Sequence, residues 1–156
     1  MCRHLSAHIL ELAGDTVSGY WPIRTEADPR PALHEISKSR SVVLPVVEGE
    51  GMPLSFRSWK PGADMIDGAF GAAVPQVKTG ADPDILIVPL AAFDARGFRL
   101  GYGGGFYDRT LEKLRAVKPT IAIGFAYEVQ GVSELPIEDT DQALDFIVTE
   151  NGVRAF

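Results

Sequence analysis

A chain of 156 residues, 46% hydrophobic and 23% charged, has the size of one domain, expected to span 1–156, and can bury a core without disulfide or metal staples. No apolar run approaches the roughly 18 residues of a membrane span, the first residues lack a secretory signal's apolar stretch, and Cys2 has no cysteine partner, so the cytoplasm is the expected compartment and no membrane partner is expected. The net charge of −6 argues against a nucleic-acid binder, which carries a basic face over its footprint, although six basic residues face three acids between Asp94 and Lys118.

Leu5, Ile9 and Leu12 recur at helical spacing, and Gly14 can end that helix. Val17 to Ile23 reads as a strand, Arg24 to Pro29 as the loop after it, and Pro31 to Ser39 as a helix with proline near its first turn. Ser41 to Val47 is a second apolar strand. Leu54 to Trp59 alternates between Pro53 and Pro61-Gly62, as a half-exposed strand does. Lys60 to Pro83, rich in Gly, Pro and Asp, predicts a long surface excursion with only a short strand or turn near FGAAVP. Ile85 to Leu90 is continuously apolar, which suits a strand covered on both faces. A loop from Ala91 to Gly105 follows, then a helix that opens with FYDRTLEKLR, its pattern over Asp108 to Lys118 having Leu111, Leu114 and Arg115 packing or snorkelling. Thr120 to Ala126 and Phe146 to Thr149 read as two more buried strands. The alternation predicts a single layered α/β domain, Rossmann-like, with a mainly parallel sheet flanked by helices.

RLGYGGGFYDR, Arg99 to Arg109, packs four glycines and three aromatics between two arginines at a strand-to-helix junction. Open α/β sheets bind ligands there. Glycines without Cβ atoms can turn successive N–H groups toward one point, and the helix N-terminus adds partial positive charge, a construction suited to phosphate. Arg99 and Arg109 can add charge-assisted contacts, and Asp108 in the first helical turn is placed to hold Mg²⁺ beside phosphate oxygens. Tyr102, Phe106 and Tyr107 offer flat surfaces for a heterocycle. A dinucleotide fingerprint would need glycine where Phe106 stands, and no Gly-Lys-Ser/Thr of a Walker loop occurs. Physics alone leaves a second reading beside this one: a glycine-rich turn whose Asp108 caps a helix and whose arginines are solvated.

RLGYGGGFYDR with VPLAAFDARG before it closely resembles the signature of the 5-formyltetrahydrofolate cyclo-ligase family. The likeness extends to YWPIRTEADPRP, SFRSWKPG, FGAAVP, IAIGFAYEVQ and LPIEDTDQALDFIVTENG. It implies an enzyme that uses ATP and Mg²⁺ to convert 5-formyltetrahydrofolate to 5,10-methenyltetrahydrofolate, acting on small molecules; a monomer is expected, although no sequence feature fixes the oligomeric state. Carried over residue by residue, it assigns Arg99, Leu100, Gly101, Tyr102, Gly103, Gly104, Gly105, Phe106 and Tyr107 to the ATP phosphates and the reacting formyl group. Arg99, Tyr107 and Asp108 become the catalytic residues, Asp108 and Asp141 the Mg²⁺ ligands, and Ile23 and Asp28, with Glu26 close by, the folate contacts. Family members carry a further basic segment ahead of the position of Met1, so the expectation is a chain start placed late. The competing explanations are a true short form, serving as a nucleotide- or folate-binding module without turnover, and substitution by Arg3.

His4 and His8 have a metal-ligand spacing but no third ligand nearby, so both are expected to face solvent, as is His34. Cys2 at the terminus is not expected to be catalytic, and Trp59 is read as packing.

Overall fold

The apolar runs of the sequence come together as one sheet in a computed structural model that describes residues 1–156. In chain order the elements are α1 (Cys2–Glu11), β1 (Thr16–Ser18), α2 (Arg30–Ile36), β2 (Ser41–Val46), β3 (Ser55–Trp59), β4 (Met65–Ile66), β5 (Val74–Pro75), β6 (Ile85–Val88), β7 (Ala92–Phe93), β8 (Arg99–Leu100), α3 (Phe106–Arg115), β9 (Ile121–Phe125), β10 (Phe146–Thr149) and β11 (Gly152–Ala155). The seven-stranded sheet has the order β11-β10-β9-β6-β1-β2-β3. From β10 to β2 neighbouring strands run parallel, while β3 and β11 close the edges antiparallel. The predicted α/β class and mainly parallel sheet are therefore what the chain forms. No helix is long and apolar enough to cross a membrane.

Strand periodicity divides the core into two layers. Ile85 and Ile87 point to the layer of α1 and α2, beside Leu5, Ile9, Leu33 and Ile36. Leu86 and Val88 point to the layer of α3, beside Leu111 and Leu114. All four residues of β6 are buried, which explains why that strand reads as a continuous apolar run.

Several boundaries differ from the sequence-based expectation, each for a local reason. The strand expected over Val17–Ile23 stops at Ser18. Gly19 lies so close to α2 that a Cβ there would stand 2.3 Å from Leu33 Cδ1, and Tyr20 turns away to donate its hydroxyl to the Ala27 carbonyl at 2.5 Å. α1 ends at Glu11, ahead of Gly14, where the Arg40 guanidinium donates to the carbonyls of Leu10, Leu12 and Gly14. α2 is shorter than expected, and α3 is the FYDRTLEKLR stretch, Phe106–Arg115, ending ahead of Lys118. The stretch read as an open loop after Leu90 contains the hairpin β7–β8, and β11 was not foreseen. The 60–83 excursion carries only β4, β5 and a tight turn at Ala69–Gly71, as its composition predicts.

Strand order positions the site. After β1 the chain moves outward to β2 and β3, then returns to lay β6 on the other side of β1. The loops that leave β1 and β6 thus part in opposite directions and open a crevice between them, the place where such sheets bind ligands.

Candidate functional site

The glycine cradle occupies the β6 side of this crevice. Gly103 (φ 89°) and Gly105 (φ 64°) adopt left-handed backbone that a side chain would strain. Gly105 opens α3 and no side chain caps that helix, so its first N–H groups are left to solvent or a ligand. Beside Gly101 and Gly103 the space is open, with no atom within 4 Å of where a Cβ would stand.

Asp108 does not cap its own helix. Its Oδ1 accepts from Arg99 Nη2 at 2.8 Å and from the Gln142 N–H at 2.9 Å, while Arg99 Nη1 donates to the Gln142 carbonyl. The Arg99 side chain is only 5% exposed against 25% for Asp108. Of the plain-turn reading, the cap is not found, and of its two arginines Arg99 is not solvated. Arg109 braces the cradle from outside, donating to the Gly104 carbonyl and lying 5.4 Å from the Phe106 ring centre.

Gln142 brings the acidic C-terminal stretch to the cradle. Its neighbour Asp141 accepts the Glu138 N–H at 2.8 Å, so Asp108 and the segment carrying Asp141 meet although they are far apart in sequence. No group of three or more His, Cys, Asp or Glu side chains forms a self-sufficient metal cage. Proteins hold Mg²⁺ through one or two carboxylates completed by phosphate oxygens and water, and Asp108 Oδ2, which has no hydrogen bond, suits one such position.

The β1 side of the crevice is the loop at 23–28. Glu26 Oε2 accepts the Ile23 N–H at 2.8 Å. Burial pushes its carboxyl above the ordinary range, and the Ile23 N–H and Arg24 offset this only in part. Asp28 is a different environment: Arg30 grips it with Nε at 2.9 Å and Nη2 at 2.8 Å, and that hydrogen bonding holds the carboxyl low. Tyr107, on α3, has its phenol pushed up by burial and then by the nearby Glu26 charge. Tyr20 is raised for the same two reasons. The Glu26 charge thus acts on both Tyr20, whose hydroxyl is buried on the Ala27 carbonyl, and Tyr107 of α3, while Asp28 is turned toward Arg30.

Three contributors receive no role from the sequence. Arg24 (φ 51°) holds its guanidinium 5.6 Å from the Tyr102 ring centre, joining the two loops. Gln142 is the backbone partner of both Arg99 and Asp108. Phe70 (φ 58°), 72% exposed, stands 6.0 Å from the Phe106 ring, so the long excursion returns over the start of α3. All three lie in stretches that carry the family likeness, YWPIRTEADPRP, FGAAVP and LPIEDTDQALDFIVTENG, which mark the region without assigning the residue.

His8 departs from its expected solvent-facing place. It is half-buried, meets Phe146 edge-on at 4.5 Å, and its Nε2 is buried without a partner, because the helix face that carries it packs over β10. His4 and His34 are exposed as expected.

The family model described as the 5-formyltetrahydrofolate cyclo-ligase family matches residues 1–150. The 5-formyltetrahydrofolate cyclo-ligase of Escherichia coli (strain K12) is 33% identical over 145 residues, covering 88% of this chain and 79% of that protein. The protein of the same name from Mycolicibacterium smegmatis is 31% identical over 94% of this chain and 79% of its own length. Among solved structures, Aquifex aeolicus 5,10-methenyltetrahydrofolate synthetase superimposes with a TM-score of 0.77 at 33% identity, over 99% of this chain and 80% of that one.

Proposed function

The chain belongs to the 5-formyltetrahydrofolate cyclo-ligase family, and from that premise we propose that it converts 5-formyltetrahydrofolate to 5,10-methenyltetrahydrofolate with ATP and Mg²⁺, releasing ADP and phosphate. One observation carries the reading: the loops from β1 and β6 touch at Arg24 and Tyr102, 5.6 Å apart. A pterin held by the first loop thereby presents its formyl group to a nucleotide held by the second.

In this reaction the formyl oxygen attacks the γ-phosphorus and ADP departs. N10 then attacks the activated carbon and loses its proton, and the formyl oxygen leaves within inorganic phosphate. The substrate supplies both nucleophiles, so the protein's task is positioning and charge neutralisation. Leu100 to Gly105 and the opening N–H groups of α3, with Phe106 beside them, cradle the phosphates. Arg99 holds Asp108 in place for metal binding. Asp108, through its free Oδ2, and Asp141 hold Mg²⁺, which offsets phosphate charge when bound. Tyr107 keeps its proton at neutral pH and serves as a donor to the developing charge. Glu26, through Oε1, accepts from the pterin amino and ring N–H groups, with Ile23 and Asp28 flanking it. Residues 1–156 act as one domain and a monomer in the cytoplasm.

The test is the near-ultraviolet absorbance of the methenyl product, measured on the 156-residue chain and on Asp108→Asn, which keeps an acceptor oxygen for Arg99 and Gln142. Turnover in the first and a rate at least about 100-fold lower in a folded second variant is the expected result. Ligand binding without turnover in the parent chain would replace this reading with that of a binding module.

A further inference from the structure

Three arginines touch the glycine cradle, and two of them are engaged by the protein. Arg99 is spent on Asp108 and the Gln142 carbonyl. Arg109 is spent on the Gly104 carbonyl. Arg24 stands apart: none of the eight ion pairs and no side-chain hydrogen bond includes it, and beyond a through-space influence on the Glu26 carboxyl its one contact is the Tyr102 ring. It is exposed, and its backbone at φ 51° is a conformation that non-glycine residues adopt rarely and that persists where the surroundings hold it.

A guanidinium over an exposed tyrosine makes a weak contact, whereas the same group on a phosphate makes short charge-assisted hydrogen bonds with geometric preference. Tyr102 lies between Gly101 and Gly103, where the space is open. An anion in that space would meet, in Arg24, a cation whose donors are all free. We infer that Arg24 is a nucleotide-binding residue supplied from the opposite loop, which leaves the Tyr102 ring for the polyphosphate and so fastens the 23–28 loop to a filled cradle. The inference rests on the reading of the glycine loop as a nucleotide site.

The experiment is calorimetric titration of the full chain with Mg·ATP over a series of salt concentrations, for the parent, Arg24→Gly and Arg24→Lys. Glycine relieves the positive φ, so that variant should fold, and lysine keeps the charge. Affinity about tenfold weaker in Arg24→Gly, with a shallower salt dependence, and largely restored in Arg24→Lys, is the expected pattern. ATP affinity in Arg24→Gly equal to the parent's overturns the inference, as does a loss that lysine does not rescue and salt does not modulate. A parent chain that binds no ATP would instead overturn the nucleotide-site reading, and this inference with it.

Discussion

Glu26 and Asp28 lie two positions apart, and the fold treats them oppositely. Glu26 has its carboxyl raised above the ordinary 4.5 by burial, so the folded state holds that proton more tightly than the unfolded chain does. Its contribution is then most favourable below the unfolded value and declines as pH rises through the folded one. Glu26→Gln should raise the thermal midpoint at neutral pH, with the gain vanishing near about pH 4, while weakening 5-formyltetrahydrofolate binding. Scanning calorimetry at both pH values checks the first part, and no gain at neutral pH would refute it. Asp94 shows the reverse sign. Burial raises it, but Arg96 and the N–H groups of Leu135, Arg96 and Phe98 outweigh that and hold the carboxyl low. Its stabilisation is present above the unfolded value and is lost as pH falls. Asp94→Asn puts a donor among these donors, and a loss of about 3 kcal/mol in urea unfolding is expected, in line with breaking a buried, hydrogen-bonded charge.

At the level of elements, glycines separate packing from binding. A methyl group at Gly19 would collide with Leu33 of α2 at 2.3 Å, so Gly19→Ala should cost about 1–3 kcal/mol as an overpacked contact, read as a lower urea midpoint. A methyl at Gly101 meets nothing within 4 Å. Gly101→Ala should leave the unfolding midpoint of the free protein unchanged and weaken ATP binding, because only a ligand close to the backbone would feel it. Equal ATP affinity would remove position 101 from the cradle. The elements that sequence patterns found are those with enough residues for periodicity to show: Phe146–Thr149 is β10 to the residue, and Ile85–Val88 is the core of the predicted run. β7, β8 and β11 were missed because two-residue strands carry no period, and because β11 owes its strand form to pairing with β10 along an edge where most residues stay exposed.

For the whole molecule, the sheet separates two hydrophobic layers. Ile36 belongs to one and Leu111 to the other. Ile36→Val should cost about 0.5–1.5 kcal/mol and Leu111→Ala about 2–5 kcal/mol. Without shared neighbours, the double variant should lose their sum within about 0.5 kcal/mol. The same denaturation, followed by far-ultraviolet circular dichroism and by the fluorescence of Trp21 and Trp59, should give coincident transitions, as one cooperative domain requires. Separate transitions would divide the chain into two units.

By itself the sequence determined the layered α/β class, the buried parallel strands, and a glycine loop between a strand and a helix, because hydrophobic period, glycine placement and helix-terminus chemistry are local properties. Tertiary structure decided the rest of the site. That Arg99 is bound to Asp108 and Gln142, that Arg24 lies on Tyr102, and that His8 is pressed against Phe146 all depend on the order in which strands enter the sheet. Strand order is fixed by the packing of both layers at once, and the partners it brings together lie at separations where no local pattern links them.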